Sequence, residues 1–116
     1  MQVQLKPNRP DPDQYADLTP GNRYRVLGIE ANDLRLLNDE GQPYLYPPQL
    51  FIIVDPTEPP DWVTTYGDEG ERYAYPPALS RPGFFEDYFD GNAEAKAALR
   101  QYLAESRTTV APTPAA

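Results

Sequence analysis

A chain of 116 residues is the size of one domain with a single modest core, too small to add a deep, multi-layered active site. Its formal charge of −8, from 18 carboxylates against 10 Lys and Arg, opposes approach to phosphate backbones and anionic lipid, so nucleic acid and membranes are excluded in favour of a basic partner. With neither histidine nor cysteine, the chain lacks the commonest general base, the commonest zinc ligand, disulfides, and every Ser-His or Cys-His nucleophile. Fifteen prolines stand beside nine tyrosines, four phenylalanines and a tryptophan, so proline here punctuates a folded chain. No apolar run reaches the roughly 18 residues of a membrane span, and the N-terminus lacks a secretory profile; the expected location is the cytoplasm.

Residues 1–19 read as an extended or mobile segment: Val3 and Leu5 alternate with polar residues, giving at most a short edge strand before Pro7, Pro10 and Pro12. Lys6 to Gln14 is expected to be mobile or draped. Thr19-Pro20-Gly21-Asn22 is turn chemistry and opens a single α+β domain over 20–106. Tyr24 to Glu30 reads as a strand with Tyr24 and Val26 on one face and Leu27 and Ile29 on the other. After the Ala31-Asn32-Asp33 turn, Leu34 to Leu37 returns as a second strand.

The stretch Asp39-Glu40-Gly41-Gln42-Pro43-Tyr44-Leu45-Tyr46-Pro47-Pro48-Gln49-Leu50 recurs twenty-nine residues later as Asp68-Glu69-Gly70-Glu71-Arg72-Tyr73-Ala74-Tyr75-Pro76-Pro77-Ala78-Leu79. Each copy predicts a turn whose glycine takes positive φ, a short strand with two tyrosines on one face, and a Pro-Pro stop. Hairpin turns and aromatic strands converge on such residues, so the repeat is evidence of fold and not of ancestry. The most apolar run, Leu50 to Val54, is assigned to a central strand. A meander of short strands with a helical or polyproline turn before the last predicts a small SH3-like β-barrel or meander from about 20 to 55.

Asp55-Pro56-Thr57-Glu58-Pro59-Pro60 is a stiff connector. Trp62 to Tyr66 and Glu71 to Tyr75 form an added hairpin around Asp68-Glu69-Gly70, with Trp62, Thr64 and Tyr66 on one face. Whether it joins the first sheet is not legible. Phe84, Phe85, Tyr88 and Phe89 fall on one helical face, with Glu86, Asp87 and Asp90 on the other. Gly91 can end this helix, and Asn92 can cap a second with an apolar stripe of Ala95, Ala98, Leu99, Tyr102 and Leu103. The two C-terminal helices are expected to pack their aromatic and leucine residues on the sheet. Residues 107–116, rich in Thr, Pro and Ala, form a disordered tail.

The charge is segregated: Asp55 to Glu94 holds ten carboxylates and two arginines, leaving eight of each sign elsewhere. Acidic surface also keeps small domains soluble, but with aromatic rings interleaved it has the composition of a protein-binding face. The candidate partner-binding residues are Trp62, Tyr66, Asp68, Glu69, Glu71, Glu86, Asp87, Tyr88 and Asp90. No catalytic residue, metal ligand or cofactor is assigned. The pairs Glu86 and Asp90, or Asp68 and Glu71, have the chemistry for acid-base work, but turn and helix-surface carboxylates are usually solvated. Asp87 to Glu94 lacks the spacing of a calcium loop, and phosphate-loop, dinucleotide and nucleophile-elbow motifs are missing from the sequence. The expected protein is a non-catalytic binding module, monomeric when free. The alternatives are a structural or phage-type assembly subunit and a carboxylate-dependent hydrolase.

Tyr24-Arg25-Val26-Leu27-Gly28-Ile29-Glu30, Asn38-Asp39-Glu40-Gly41, Leu45-Tyr46-Pro47-Pro48, Leu50-Phe51, Asp61-Trp62-Val63, Gly70-Glu71-Arg72-Tyr73 and the 83–90 stretch resemble a group of small, acidic, uncharacterised bacterial proteins. The resemblance spans about residues 20 to 105 and implies one bacterial cytoplasmic domain, with no site residues. Size, charge and lack of catalytic residues are similar in type to immunity proteins that neutralise basic toxins.

Overall fold

The structure, a computed structural model, describes residues 1–7 and 14–109. Its strands are β1 (Gln2–Leu5), β2 (Arg23–Glu30), β3 (Asp33–Leu37), β4 (Pro43–Tyr46), β5 (Phe51–Asp55), β6 (Val63–Tyr66) and β7 (Arg72–Tyr75). Helices α1 (Phe84–Phe89) and α2 (Ala93–Thr109) follow. The fold is mixed α+β, with all seven strands in one open antiparallel sheet; the closed barrel expected for residues 20–55 is not formed. The chain divides into two compact units, one ending at Pro76 and the other beginning at Pro77.

Strand β2 organises the first unit because it is long enough to serve several neighbours. Its first residues pair with β1, as Arg23 with Gln4 and Arg25 with Gln2, and its later ones pair with β3, as Val26 with Leu36 and Ile29 with Leu34. Between Val26 and Gly28 the register slips, so that Leu27 is an extra residue on β2. A bulge of this kind bends the strand and switches the faces beyond it. Val26 and Ile29 therefore enter the same buried cluster, with Val3, Leu5, Leu34, Leu36, Tyr46 and Phe51. This corrects the expectation that Ile29 faces away from Val26, which assumed unbroken alternation.

Two strands exchange their expected places. β1 is interior, flanked by β2 and β5, and Val3 and Leu5 are fully buried. β5, expected to be central, pairs only with β1 among the described residues, and its Ile52 and Ile53 are 50% and 55% exposed. Leu50 belongs to a 3-10 turn at 48–50 and not to the strand. Apolar content did not decide position; the number of partners did. In β1 alternation sends Val3 and Leu5 inward and the glutamines outward, which is all that an interior strand with one core face requires.

The repeat is structural. From turn through strand to 3-10 turn, residues 39–50 and 68–79 have the same backbone assignment position by position. Gly41 and Gly70 have φ of 75° and 81°, the left-handed conformation that the turns require. Tyr46 and Tyr75, and Leu50 and Leu79, are buried in both copies. β3 with β4 and β6 with β7 are thus hairpins built to one pattern, and the second joins the sheet through the pairing of Ala74 with Ile29.

In the second unit, Leu79, Phe84, Phe85, Ala95 and Leu99 are buried, and the Phe84 and Phe85 rings meet edge to face at 5.0 Å. Asn92 Oδ1 accepts from the Ala95 N–H at 2.9 Å, capping α2, and Gly91 is left-handed as expected. Phe89, expected in the core, is 44% exposed: α1 has only six residues, and Phe89 is the last of them, beyond the buried first turn. Helix α2 continues to Thr109, past the expected start of the tail at residue 107; residues 110–116, like 8–13 of the expected mobile stretch, lie outside the described residues. No helix among the described residues is long and apolar enough to cross a membrane.

Candidate functional site

The β6–β7 hairpin carries the candidate residues of the first unit. All four residues of β6 are exposed, and Tyr66, at 69%, is the most exposed large apolar side chain of the described residues. Asp68 and Glu69 lie exposed at the tip of the turn. Trp62 differs: it is half-buried and packs against the core cluster. Its ring is committed to the fold, although strand alternation puts it on the Thr64 and Tyr66 side.

Glu71 is engaged in its own turn. In the first hairpin the Asn38 side-chain oxygen accepts from the Glu40 and Gln42 N–H groups, each at 2.9 Å. The corresponding residue in the second copy is Gly67, which has no side chain. The Glu71 carboxylate fills the space where a Gly67 Cβ would stand, and its Oε2 accepts from the Glu69 N–H at 3.1 Å. One acceptor thus replaces another at the same point of the turn. Next to it the Arg72 guanidinium grips both oxygens of Glu58, and this contact holds the Glu58 carboxyl below its usual range.

Two polar clusters beneath the hairpins had no signal in local sequence. Arg35, 5% exposed, donates from Nε to the Tyr75 hydroxyl at 2.7 Å, from Nη1 to the Pro43 carbonyl at 2.7 Å and from Nη2 to Glu30 at 3.2 Å. The Tyr75 hydroxyl donates onward to Glu30 Oε1 at 3.1 Å. In the other copy the Tyr46 hydroxyl donates to Asp17 Oδ2 at 2.6 Å, and Asn38 Nδ2 donates to the same oxygen at 3.1 Å. Tyr24 donates to Asp39 at 2.6 Å, tying the 17–24 stretch to the β3–β4 turn. Burial foremost, and for Tyr46 and Tyr24 the adjoining carboxylate, pushes all three phenols above their usual pKa. The recurrence of the inner tyrosine at Tyr46 and Tyr75 was the available clue; its carboxylate partners come from other strands and loops.

The remaining candidates belong to the second unit. Glu86 on α1 and Asp90, its C-cap, are exposed, whereas Asp87 pairs with Arg81 at 2.9 Å. Tyr88 is half-buried, edge to face with Phe89 at 5.2 Å and beneath the Lys96 ammonium at 5.9 Å. The nine candidates therefore divide between two units, five on the hairpin side and four on α1 and its C-cap. No known protein family, curated protein or solved structure matches this chain. Among the described residues no group of three or more carboxylates is placed to hold a metal ion. Asn92 of the calcium-like stretch serves as the α2 cap. What the hairpin offers chemically is an uncharged, solvent-facing strand ending in an aromatic ring beside two solvated carboxylates.

Proposed function

We propose that the protein is a non-catalytic acidic binding module that engages a basic protein, as an immunity-type inhibitor of a basic toxin or nuclease, in the cytoplasm. The observation that carries this reading is the exposure of Tyr66 beside the Asp68-Glu69 turn on one hairpin. A rigid ring supplies contact area at low entropic cost, and unpaired carboxylates steer a cationic partner. The non-catalytic part is supported by the lack of histidine and cysteine and by the commitment of Asp17, Glu30, Asp39, Glu58 and Glu71 to hydrogen bonds within the fold. The strand order β4-β3-β2-β1-β5, the bulge in β2 and the 3-10 turn before β5 support an SH3-like kinship for the first five strands.

The test is kinetic. Against a basic protein captured by the tagged chain from its source cells, the double variant Asp68→Lys/Glu69→Lys should slow association about tenfold and flatten its salt dependence. An unchanged association rate and salt slope would remove the acidic hairpin from recognition. A self-assembling subunit is the second reading, favoured by Ile52 and Ile53 standing half-exposed on β5. A concentration-dependent oligomer in a sizing run, lost in Ile52→Lys, would select it.

A further inference from the structure

The two hairpins follow one pattern but differ in what lies beside them. Strand β3 is paired on both sides, by β4 and by β2. β6, which takes the place of β3 in the second copy, pairs only with β7 among the described residues, and every one of its residues is exposed. Ladder alternation identifies the backbone groups left over. The Gly67 N–H donates to the Glu71 carbonyl at 2.9 Å, so this is a hydrogen-bonded pair. Stepping back by twos, Thr65–Tyr73 and Val63–Tyr75 are bonded pairs as well, and Thr64 and Tyr66 turn their N–H and C=O groups away from β7. In the first hairpin the Asn38 N–H donates to the Gln42 carbonyl at 3.0 Å and sets the same alternation. There Arg35, the counterpart of Thr64, meets Gly28 of β2.

Sheet edges are usually blunted by proline, lysine or a bulge. β4 begins with Pro43 and is followed by Pro47, but residues 63–66 contain no proline and no charge and pair with β7 without a register shift. Acidic residues flank the edge: Asp61 precedes it, and Asp68 and Glu69 follow, while the nearby Arg72 is occupied by Glu58. A second copy of β6 laid antiparallel would bring Asp61 towards the Asp68-Glu69 turn of its partner, a like-charge contact that disfavours self-pairing.

We infer that the free edge of β6 takes up an extended basic segment of a partner protein as an added antiparallel strand, in the position that β2 fills beside β3 in the first hairpin. The inference rests on the binding-module reading and specifies where and how that module binds. The outward N–H and C=O groups of Thr64 and Tyr66 supply the register, and the flanking carboxylates select the charge.

The experiment is amide hydrogen exchange by NMR on the full chain, titrated with a blocked Lys-Val-Lys-Val-Lys-Val peptide and, separately, its Glu-Val counterpart. The Lys-Val peptide should slow exchange at Thr64 and Tyr66 at least about tenfold, and the Glu-Val peptide should not. Thr64→Pro removes one outward N–H without touching the β6–β7 ladder, and should abolish the protection at Tyr66. Resonance shifts around Asp68 and Glu69 without protection at Thr64 and Tyr66 would overturn strand addition and leave the acidic-face reading standing. Equal protection by the Glu-Val peptide would overturn the charge selection. No response to either peptide would count against strand addition and the acidic face alike, and the wild-type exchange data decide even if Thr64→Pro unfolds.

Discussion

Replacing Gly28 by alanine should unfold the first unit far more readily than the loss of one hydrogen atom suggests. A Cβ at Gly28 would press well inside van der Waals contact of Cδ1 and Cε1 of the Tyr75 ring, and would stand 2.9 Å from the Ala74 carbonyl oxygen. The ring is not free to yield, because its hydroxyl is held by Arg35 at 2.7 Å and Glu30 at 3.1 Å, and Arg35 is in turn fixed to Pro43. Overpacking of this kind costs about 1–3 kcal/mol. Pulling the phenol away from a buried guanidinium adds about 1.5–3 kcal/mol, and the reduced freedom of the unfolded chain returns about 0.5–1 kcal/mol. The net loss is about 1.5–5.5 kcal/mol, which at a urea slope near 1.5 kcal/mol per molar lowers the midpoint by roughly 1–4 M. The single tryptophan, packed against the core of this unit, provides the fluorescence readout. The decisive control is Tyr75→Ala, in whose background Gly28→Ala should cost markedly less, the remaining cost being the close approach to the Ala74 carbonyl. An equal cost in both backgrounds would show that the ring is not what reserves this position for glycine.

Two further outcomes follow from the hydrogen-bond geometry. Tyr24, Tyr46 and Tyr75 have folded pKa values above that of an unfolded tyrosine, so their contribution to stability is complete below about pH 10 and is lost as pH rises towards the folded values. The unfolding free energy from urea curves should fall above about pH 10, by up to roughly 1.4 kcal/mol per pH unit for each phenol, and phenolate absorbance of the folded chain should show Tyr46 and Tyr75 ionising at higher pH than an unfolded tyrosine; ionisation of all nine tyrosines of the folded chain near pH 10 would contradict this. Glu71→Ala should cost about 0.5–1 kcal/mol by exchanging the hydrogen bond to the exposed Glu69 N–H for one to water, and adding Gly67→Asn should restore it, because asparagine is what the first copy uses at that point. A double variant as unstable as the single one would refute the equivalence of the two turns.

Local chemistry by itself determined most of the elements. Positive-φ glycines, Pro-Pro stops and the Asn92 cap act on their immediate neighbours, so the repeated turn-strand-turn unit, the β2–β4 meander, the second hairpin and both helices were legible from the residues alone. The acidic, tyrosine-bearing hairpin tip was legible for the same reason. Tertiary structure decided what depends on distant partners. It set β1 inside and β5 at the edge, contrary to their apolar content, because a strand's place is set by how many strands it pairs with. It moved Ile29 to the face of Val26 through one extra residue at Leu27, and drew Trp62 to the core and Glu71 into a turn. It also buried Arg35, a residue that composition assigns to solvent, because Tyr75, Glu30 and the Pro43 carbonyl converge on it from three other strands. A buried guanidinium is tolerable only when its donors are satisfied, and partners up to forty residues away are brought together by sheet pairing and not by any local pattern.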